Sequence, residues 1–357
     1  MRADRKRVAF FPAHPAQIWV LRPVAEEVSS FADVEWFLRD KDINRTLADQ
    51  LGIEYRLVSR AGSGLAGNAR EFLANIFRFA SIGRRRKIDL WVTKYGACHI
   101  SARLQGRMSL SFIDDDLELI PLMAWTSYPF VDEIVAPEVT RMGRWESKTV
   151  RFRGNFEISY LHPEKFKPDI SIRSDMGLDD TTEFAIVRLS SLRAHHDSGI
   201  RGVAREVLME VMDICGRAGI RVFITSERRL EEQLEPYRIA IGPERIHSAL
   251  AEARFVLGDS QTMIQEAAVL GTPAVRMNDF VGRISIIGEL ERAGLAFGFR
   301  PEQKEDLLDT LEDLLSMSDW KDTFRARREA LLSEWEDPAP LMVERIRQMV
   351  RGERVTS

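Results

Sequence analysis

Between Phe255 and Arg276 the chain reads Phe-Val-Leu-Gly-Asp-Ser-Gln-Thr-Met-Ile-Gln-Glu-Ala-Ala-Val-Leu-Gly-Thr-Pro-Ala-Val-Arg, its densest group of residues able to do chemistry. Phe255–Leu257 predicts a buried strand, Gly258 and Asp259 a tight turn, Thr262–Leu270 a helix, and Ala274 the start of another strand. Asp259 or Ser260 can cap that helix by accepting from orphan backbone N–H groups of its first turn. The N–H groups at Ser260, Gln261 and Thr262, with the helix dipole, suit a phosphate. Thr262 and Glu266 are four apart and share a helix face one turn further on. A carboxylate there can accept from a ribose diol, as the acidic residue of dinucleotide folds does. Gly271 and Pro273 end the helix.

Other candidates lie where predicted strands end. Arg188, Ser190 and Ser191 follow a strand of the second half and are placed to meet the same phosphate, which a guanidinium fork suits. His195 and His196 are adjacent, point apart in an extended loop and make poor partners for one metal. His14, between Pro12 and Pro15 after the first strand, can act as a base, donate to a phosphate or sugar hydroxyl, or cap the next helix. Asp114, Asp115 and Asp116 end another strand, where a carboxylate can be a general base, hold a cation or form a solvated turn. Ala61–Gly67 reads as a phosphate-binding loop, a lid or a plain turn. His247 reads as structural.

These groups need strands and helices to place them, and the pattern supplies two sets. The first half alternates strands (Arg7–Phe11, Val34–Leu38, Glu54–Ser59, Asp89–Thr93, Met108–Ile113, Asp132–Ala136, Thr149–Arg153) with helices at Ile18–Ser30, Arg45–Leu51 and Ala69–Ser81. The second half repeats the scheme, with strands at Glu183–Leu189, Arg221–Thr225, Arg238–Ile241, Arg254–Leu257, Ala274–Met277 and Leu295–Phe297. Its helices are expected at Gly202–Ala218, Arg228–Leu234, Ile246–Ala253, Thr262–Leu270, Ile284–Ala293 and Lys304–Ser316, with Trp320–Trp335 and Pro340–Val350 following. The expected division is a first domain at 1–158, a Pro-bearing linker at 159–169, a second domain at 170–336 and a C-terminal helix at 337–357. The fold class is α/β, with two Rossmann-like domains facing a cleft.

Asp-Ser-x-x-x-x-x-Glu (259–266) followed by Leu-Gly-x-Pro (270–273) resembles the nucleotide-sugar segment of GT-B proteins, especially the UDP-N-acetylglucosamine 2-epimerases. Their pattern, Asp-Ser-Gly-Gly-(Val/Ile)-Gln-Glu-Glu, implies UDP phosphates on the backbone at Ser260 and ribose on Glu266. The two glycines fall on Gln261 and Thr262, which here carry side chains. The run from Arg7 to Trp19 and Gly154-Asn-Phe-Glu-x-x-Tyr-Leu-His-Pro-x-x-Phe-x-Pro-Asp169 resemble an uncharacterised prokaryotic family related to the same group. The resemblance implies the GT-B architecture, with a C-terminal helix crossing back to the first domain. The 2-epimerases carry His-Gly-Asp-Thr where this chain has Thr93-Lys-Tyr-Gly-Ala97, so their Asp is missing.

With 357 residues, 45% hydrophobic and 30% charged, the chain has the composition of a soluble globular protein large enough for two cores. A net charge of −4 argues against nucleic acid as partner, and two cysteines far apart exclude a disulfide scaffold. No apolar run approaches the ~20 residues needed to span a bilayer. A cytoplasmic location is expected, at the membrane's inner face if the segment Phe72–Lys87 docks there. Within it Phe72, Leu73, Ile76, Phe77 and Ala80 read as a core-facing stripe before the basic run Arg84–Lys87, or as a membrane-surface face. The expected activity is glycosyl transfer from a nucleotide sugar, UDP-linked, to a sugar or lipid-linked acceptor in surface polysaccharide or glycolipid synthesis. His14 is the expected base, with Asp114 or Asp115 the second choice; Arg188, Ser190, Ser260, Gln261, Thr262 and Glu266 hold the nucleotide. No metal or cofactor is expected. The alternatives are a non-hydrolysing 2-epimerase of a UDP-amino sugar and a non-catalytic nucleotide-sugar-binding protein.

Overall fold

A computed structural model describes residues 5–41, 43–60, 64–189, 201–226 and 229–353. The chain forms two compact units, Met1–Tyr160 with Glu336–Ser357 and Leu161–Trp335. The first unit runs β1 (Arg7–Phe11), α1 (Pro15–Val28), β2 (Asp33–Asp40), α2 (Asn44–Gln50), β3 (Tyr55–Arg60), α3 (Gly64–Arg86), β4 (Leu90–Thr93), α4 (Gly96–Leu104), β5 (Met108–Phe112), α5 (Pro121–Thr126), β6 (Glu133–Pro137) and β7 (Thr149–Phe152), and α6 (Ile158–Leu161) leaves it. Its strands form one parallel sheet, ordered β3-β2-β1-β4-β5-β6-β7. Strand order reverses between β1 and β4, the place where open parallel sheets receive ligands beyond their carboxyl ends.

The second unit runs α7 (Ile172–Asp175), β8 (Phe184–Leu189), α8 (Arg205–Arg217), β9 (Arg221–Ser226), α9 (Ile246–Glu252), β10 (Val256–Gly258), α10 (Gln261–Leu270), β11 (Ala274–Met277), α11 (Ser285–Arg292), β12 (Ala296–Phe299), α12 (Lys304–Ser316) and α13 (Trp320–Leu332). Its parallel sheet is ordered β12-β11-β10-β8-β9, so the reversal falls between β8 and β10. Every residue of β10 and β11 is buried, as expected for strands covered on both faces. Finally α14 (Pro338–Arg351) returns to the first unit, capped by Asp337, whose side chain accepts from the Ala339 N–H at 3.0 Å. Met342, Val343, Ile346, Met349 and Val350 of α14 share a core cluster with Val8 and Phe10 of β1 and Leu21 and Val24 of α1.

Several expected elements differ. Residues 229–234 form no helix, and Arg238–Ile241 contributes only an isolated bridge from Arg238 to Ile224. The short alternation there is the pattern of a strand, but the loop is held by Glu235, which accepts from the Leu230 N–H and pairs with Arg238. Helix α4, absent from the sequence reading, follows β4 directly, and its helical start at Gly96 is packed so closely that an added Cβ would meet the Ser127 Oγ at 1.8 Å. Helix α3 extends from Gly64 to Arg86, and Leu73 and Phe77 face outward rather than into the core. The inner face instead carries Glu71, Asn75 and Phe79, all buried, with Phe72 and Ile76 packed beside Phe79.

Candidate functional site

In the second unit, β10 ends in Gly258 and α10 begins after Ser260, the N-cap, in extended backbone (φ −85°, ψ 128°). The Ser260 hydroxyl makes no capping hydrogen bond, so its side chain does not satisfy the first-turn amides. Gln261 and Thr262, half-buried, form that first turn. Gly258 is in register with Arg188 on β8 and with Arg276 on β11, so both guanidinium-bearing residues share its face of the sheet. The glycine is required: a Cβ there would come within 2.9 Å of Arg188 Cβ and of its carbonyl oxygen. Arg188 Nη1 donates to Thr225 Oγ1 at 3.4 Å. Ser190, Ser191, His195 and His196 lie outside the described residues.

Glu266 is buried, and its Oε1 lies 3.0 Å from Nε2 of buried His247. The His247 ring is held edge-on by Phe166, centroid to centroid 6.0 Å. A second buried assembly fixes the turn before α10. Arg276 donates to Asn278 Oδ1 from Nη2 at 3.1 Å, and Asn278 Nδ2 donates to the Asp259 carbonyl at 2.9 Å. Burial lowers the Arg276 guanidinium to a pKa of about 10, against the pull of the Glu291 carboxylate.

In the first unit the candidate residues gather at the carboxyl ends of β1, β4 and β5. Thr93 Oγ1 donates to the Phe11 carbonyl at 2.7 Å and accepts from the Tyr95 N–H at 2.9 Å, tying the loops after β1 and β4 together. His14 is the N-cap of α1, its Nδ1 accepting from the Ala16 N–H at 3.3 Å. With Nδ1 an acceptor, the neutral ring carries its proton on Nε2 and presents a donor. Asp114 forms an ion pair with Lys94, Nζ to Oδ1 2.6 Å, and Asp115 is half-exposed beside it. Burial pulls the Lys94 ammonium down, but the Asp114 and Asp115 carboxylates outweigh it and hold the pKa above its ordinary value. Lys94 also lies 5.1 Å from the Phe112 ring centre. Asp116 is fully buried and accepts from the Arg141 N–H at 2.7 Å, a turn-building role. Of the glycine-rich run, residues 61–63 lie outside the described residues, and Gly64–Gly67 form the first turn of α3.

No protein-family model and no curated protein matches the chain. Solved structures match it along nearly its whole length. A putative UDP-N-acetylglucosamine 2-epimerase from Listeria monocytogenes gives a TM-score of 0.71 at 12% identity, covering 98% of this chain and 97% of that one. S. aureus MnaA, in a structure with UDP, gives 0.69 at 12%, covering 99% and 98%. The spinosyn forosaminyltransferase SpnP gives 0.62 at 16%, covering 98% and 100%. The chain has the GT-B fold.

Each of the two GT-B units thus carries its candidate residues at its own reversal of strand order. Four residues in these groups were not singled out by the sequence: Lys94, Arg276, Asn278 and His247 as partner of Glu266. Lys94 and Arg276 had a legible signal, since each is a cation inside or directly after a run of buried strand residues. The His247–Glu266 pair had none, because 19 positions separate the two. Among the described residues no group of three or more His, Cys, Asp or Glu side chains is arranged to hold a metal ion. Asp114 pairs with Lys94 and Asp116 with Arg141.

Proposed function

We propose that this protein transfers a glycosyl group from a nucleotide sugar, UDP-linked, to a sugar or lipid-linked acceptor in surface polysaccharide or glycolipid synthesis. The observation that carries the reading is the start of α10: an N-cap whose hydroxyl does not cap, two residues beyond a glycine in register with Arg188. A helix N-terminus with an arginine beside it suits a diphosphate and stabilises the charge on departing UDP without a metal. The backbone at Ser260, Gln261 and Thr262 and the side chains of Arg188 and Ser190 are assigned to that diphosphate. Glu266, oriented by His247, is assigned to the ribose.

In the reaction the acceptor hydroxyl oxygen bonds to the anomeric carbon as the bond to the UDP oxygen breaks, and the hydroxyl proton passes to a base. The carboxylates of Asp114, paired with Lys94, and Asp115 beside it are assigned to that base. His14, with Nε2 as donor, fits better as a hydrogen bond to a sugar hydroxyl or phosphate oxygen than as a proton acceptor.

The epimerase reading is supported by the likeness to 2-epimerase structures and opposed by Lys94, a cation in the loop where the epimerase pattern has its Asp. The side chains at Gln261 and Thr262, in place of two glycines, favour a protein that binds without turnover. One experiment separates the three: purified protein with a panel of UDP-sugars, with and without membrane-derived and oligosaccharide acceptors. Transfer predicts free UDP only when an acceptor is present. Interconversion of UDP-amino sugars with no acceptor establishes epimerisation instead, and binding with neither product establishes the non-catalytic reading.

A further inference from the structure

Helix α3 carries an outward stripe that its packing does not explain. Arg70, Leu73, Phe77, Ser81 and Arg84 recur at steps of three and four, so they form one line along the helix. Leu73 is 59% exposed and Phe77 75%. The opposite face is already complete. Phe79 is fully buried with Phe72 and Ile76 beside it, Glu71 takes the Arg39 guanidinium from Nε at 2.7 Å, and Asn75 donates to Ser59 and to Tyr95. The outward pair is therefore additional to the core and not part of it.

The charge on this helix has one sign. The single carboxylate in Gly64–Arg86 is Glu71, buried against Arg39. Arg70, Arg78, Arg84 and Arg85 are exposed, and none pairs with a carboxylate among the described residues. The same unit exposes a second apolar pair. On α5, Leu122 is 78% and Trp125 64% exposed, with the Arg144 guanidinium 4.7 Å from the Trp125 ring centre. The two helices approach each other on their buried sides at the start of α4, where a Cβ on Gly96 would touch both Phe72 of α3 and Ser127 just beyond α5.

We propose that this face docks on an anionic lipid bilayer, with α3 lying along the surface. A helix of 23 residues is about 34 Å long. Leu73 and Phe77 enter the acyl boundary while the arginines bracketing them, on long stems, reach headgroup phosphates. Cations at both ends of the apolar pair fit an extended sheet of negative charge, and contact is peripheral, since no helix among the described residues is long and apolar enough to cross a membrane. The inference stands apart from the nucleotide reading.

The test is co-sedimentation of the full chain with vesicles of phosphatidylcholine mixed with phosphatidylglycerol, against phosphatidylcholine alone. The protein is expected to partition into the anionic vesicles and to be released by salt. Leu73→Ser with Phe77→Ser, and separately Arg84→Ser with Arg85→Ser, should each lower the partition coefficient by about tenfold or more. Met209→Ser with Tyr237→Ser, exposed on the other unit, should match wild type. Far-UV circular dichroism should be unchanged in all three, because none of these side chains fills the core. Absence of partition, or equal partition by wild type and the Leu73/Phe77 variant, overturns the proposal. So does a dimer, seen by sedimentation velocity without lipid, that dissociates in that variant, because the stripe then belongs to a second copy of the chain.

Discussion

A buried carboxylate facing a buried imidazole, as at Glu266 and His247, is a geometry that restricts both side chains. The 3.0 Å contact from His247 Nε2 to Oε1 fixes the orientation of the carboxylate proposed for the ribose. His247→Ala is expected to weaken UDP binding about tenfold, the scale of one hydrogen bond to a charged group, while leaving affinity for inorganic pyrophosphate unchanged. Equal losses for both ligands in calorimetry would show that the substitution merely disturbs the fold. His99 makes a different prediction. Neither ring nitrogen has a partner among the described residues, and burial lowers its pKa from 6.5 to about 3. Between those values the unfolded chain binds a proton that the folded chain refuses. Stability is therefore intact above pH 6.5 and declines as pH falls toward 3, by about 1.4 kcal/mol per unit. Urea unfolding at pH 7 and pH 5 should show wild type losing about 2 kcal/mol more than His99→Leu over that interval.

At the scale of elements, β10 and the turn into α10 carry the residues proposed for the donor, and their tolerances are small. Gly258→Ala would drive a methyl against the β8 backbone at Arg188. It should destabilise the second unit by about 1–3 kcal/mol, read as a lower midpoint in thermal unfolding, and weaken UDP binding with it. The strand-turn-helix of 255–276 was legible because every local signal agreed: an apolar run, a turn glycine, a polar N-cap, and Gly271 in the left-handed region at φ 82° to stop the helix. The segment from 228 to 241 was not, because its short alternation carries no information about whether a neighbouring strand edge is there to receive it. Likewise, apolar spacing alone showed that α3 has apolar residues at helical intervals. It did not show that the ring of Phe79, rather than that of Phe77, fills the core. That His14 caps α1 could not be read from its loop position alone, since it depends on where the Ala16 N–H points.

At the scale of the molecule, the chain builds two parallel sheets in sequence and then sends its last helix back to the first. The apolar side of α14 completes the core over α1 and β1, so the first unit is unfinished until α14 is made. Ile346→Ala, at a fully buried position far along the chain from its neighbours, should cost about 2–5 kcal/mol in denaturant unfolding. The two-sheet plan was readable from alternation and from the proline-bearing break, since parallel β-α units leave a strong periodic signature. What the sequence could not supply was pairing across distance: Lys94 with Asp114, Arg345 with Glu133, His247 with Glu266. The fold is shared with enzymes of two reaction classes, so the assignment rests on the residues at the start of α10 and not on the architecture. Titration calorimetry of UDP against the wild-type chain and Glu266→Ala tests that assignment most directly. The account predicts binding at a single site, weakened in the variant by about 1–3 kcal/mol; failure of the wild-type chain to bind UDP at millimolar concentration would contradict it.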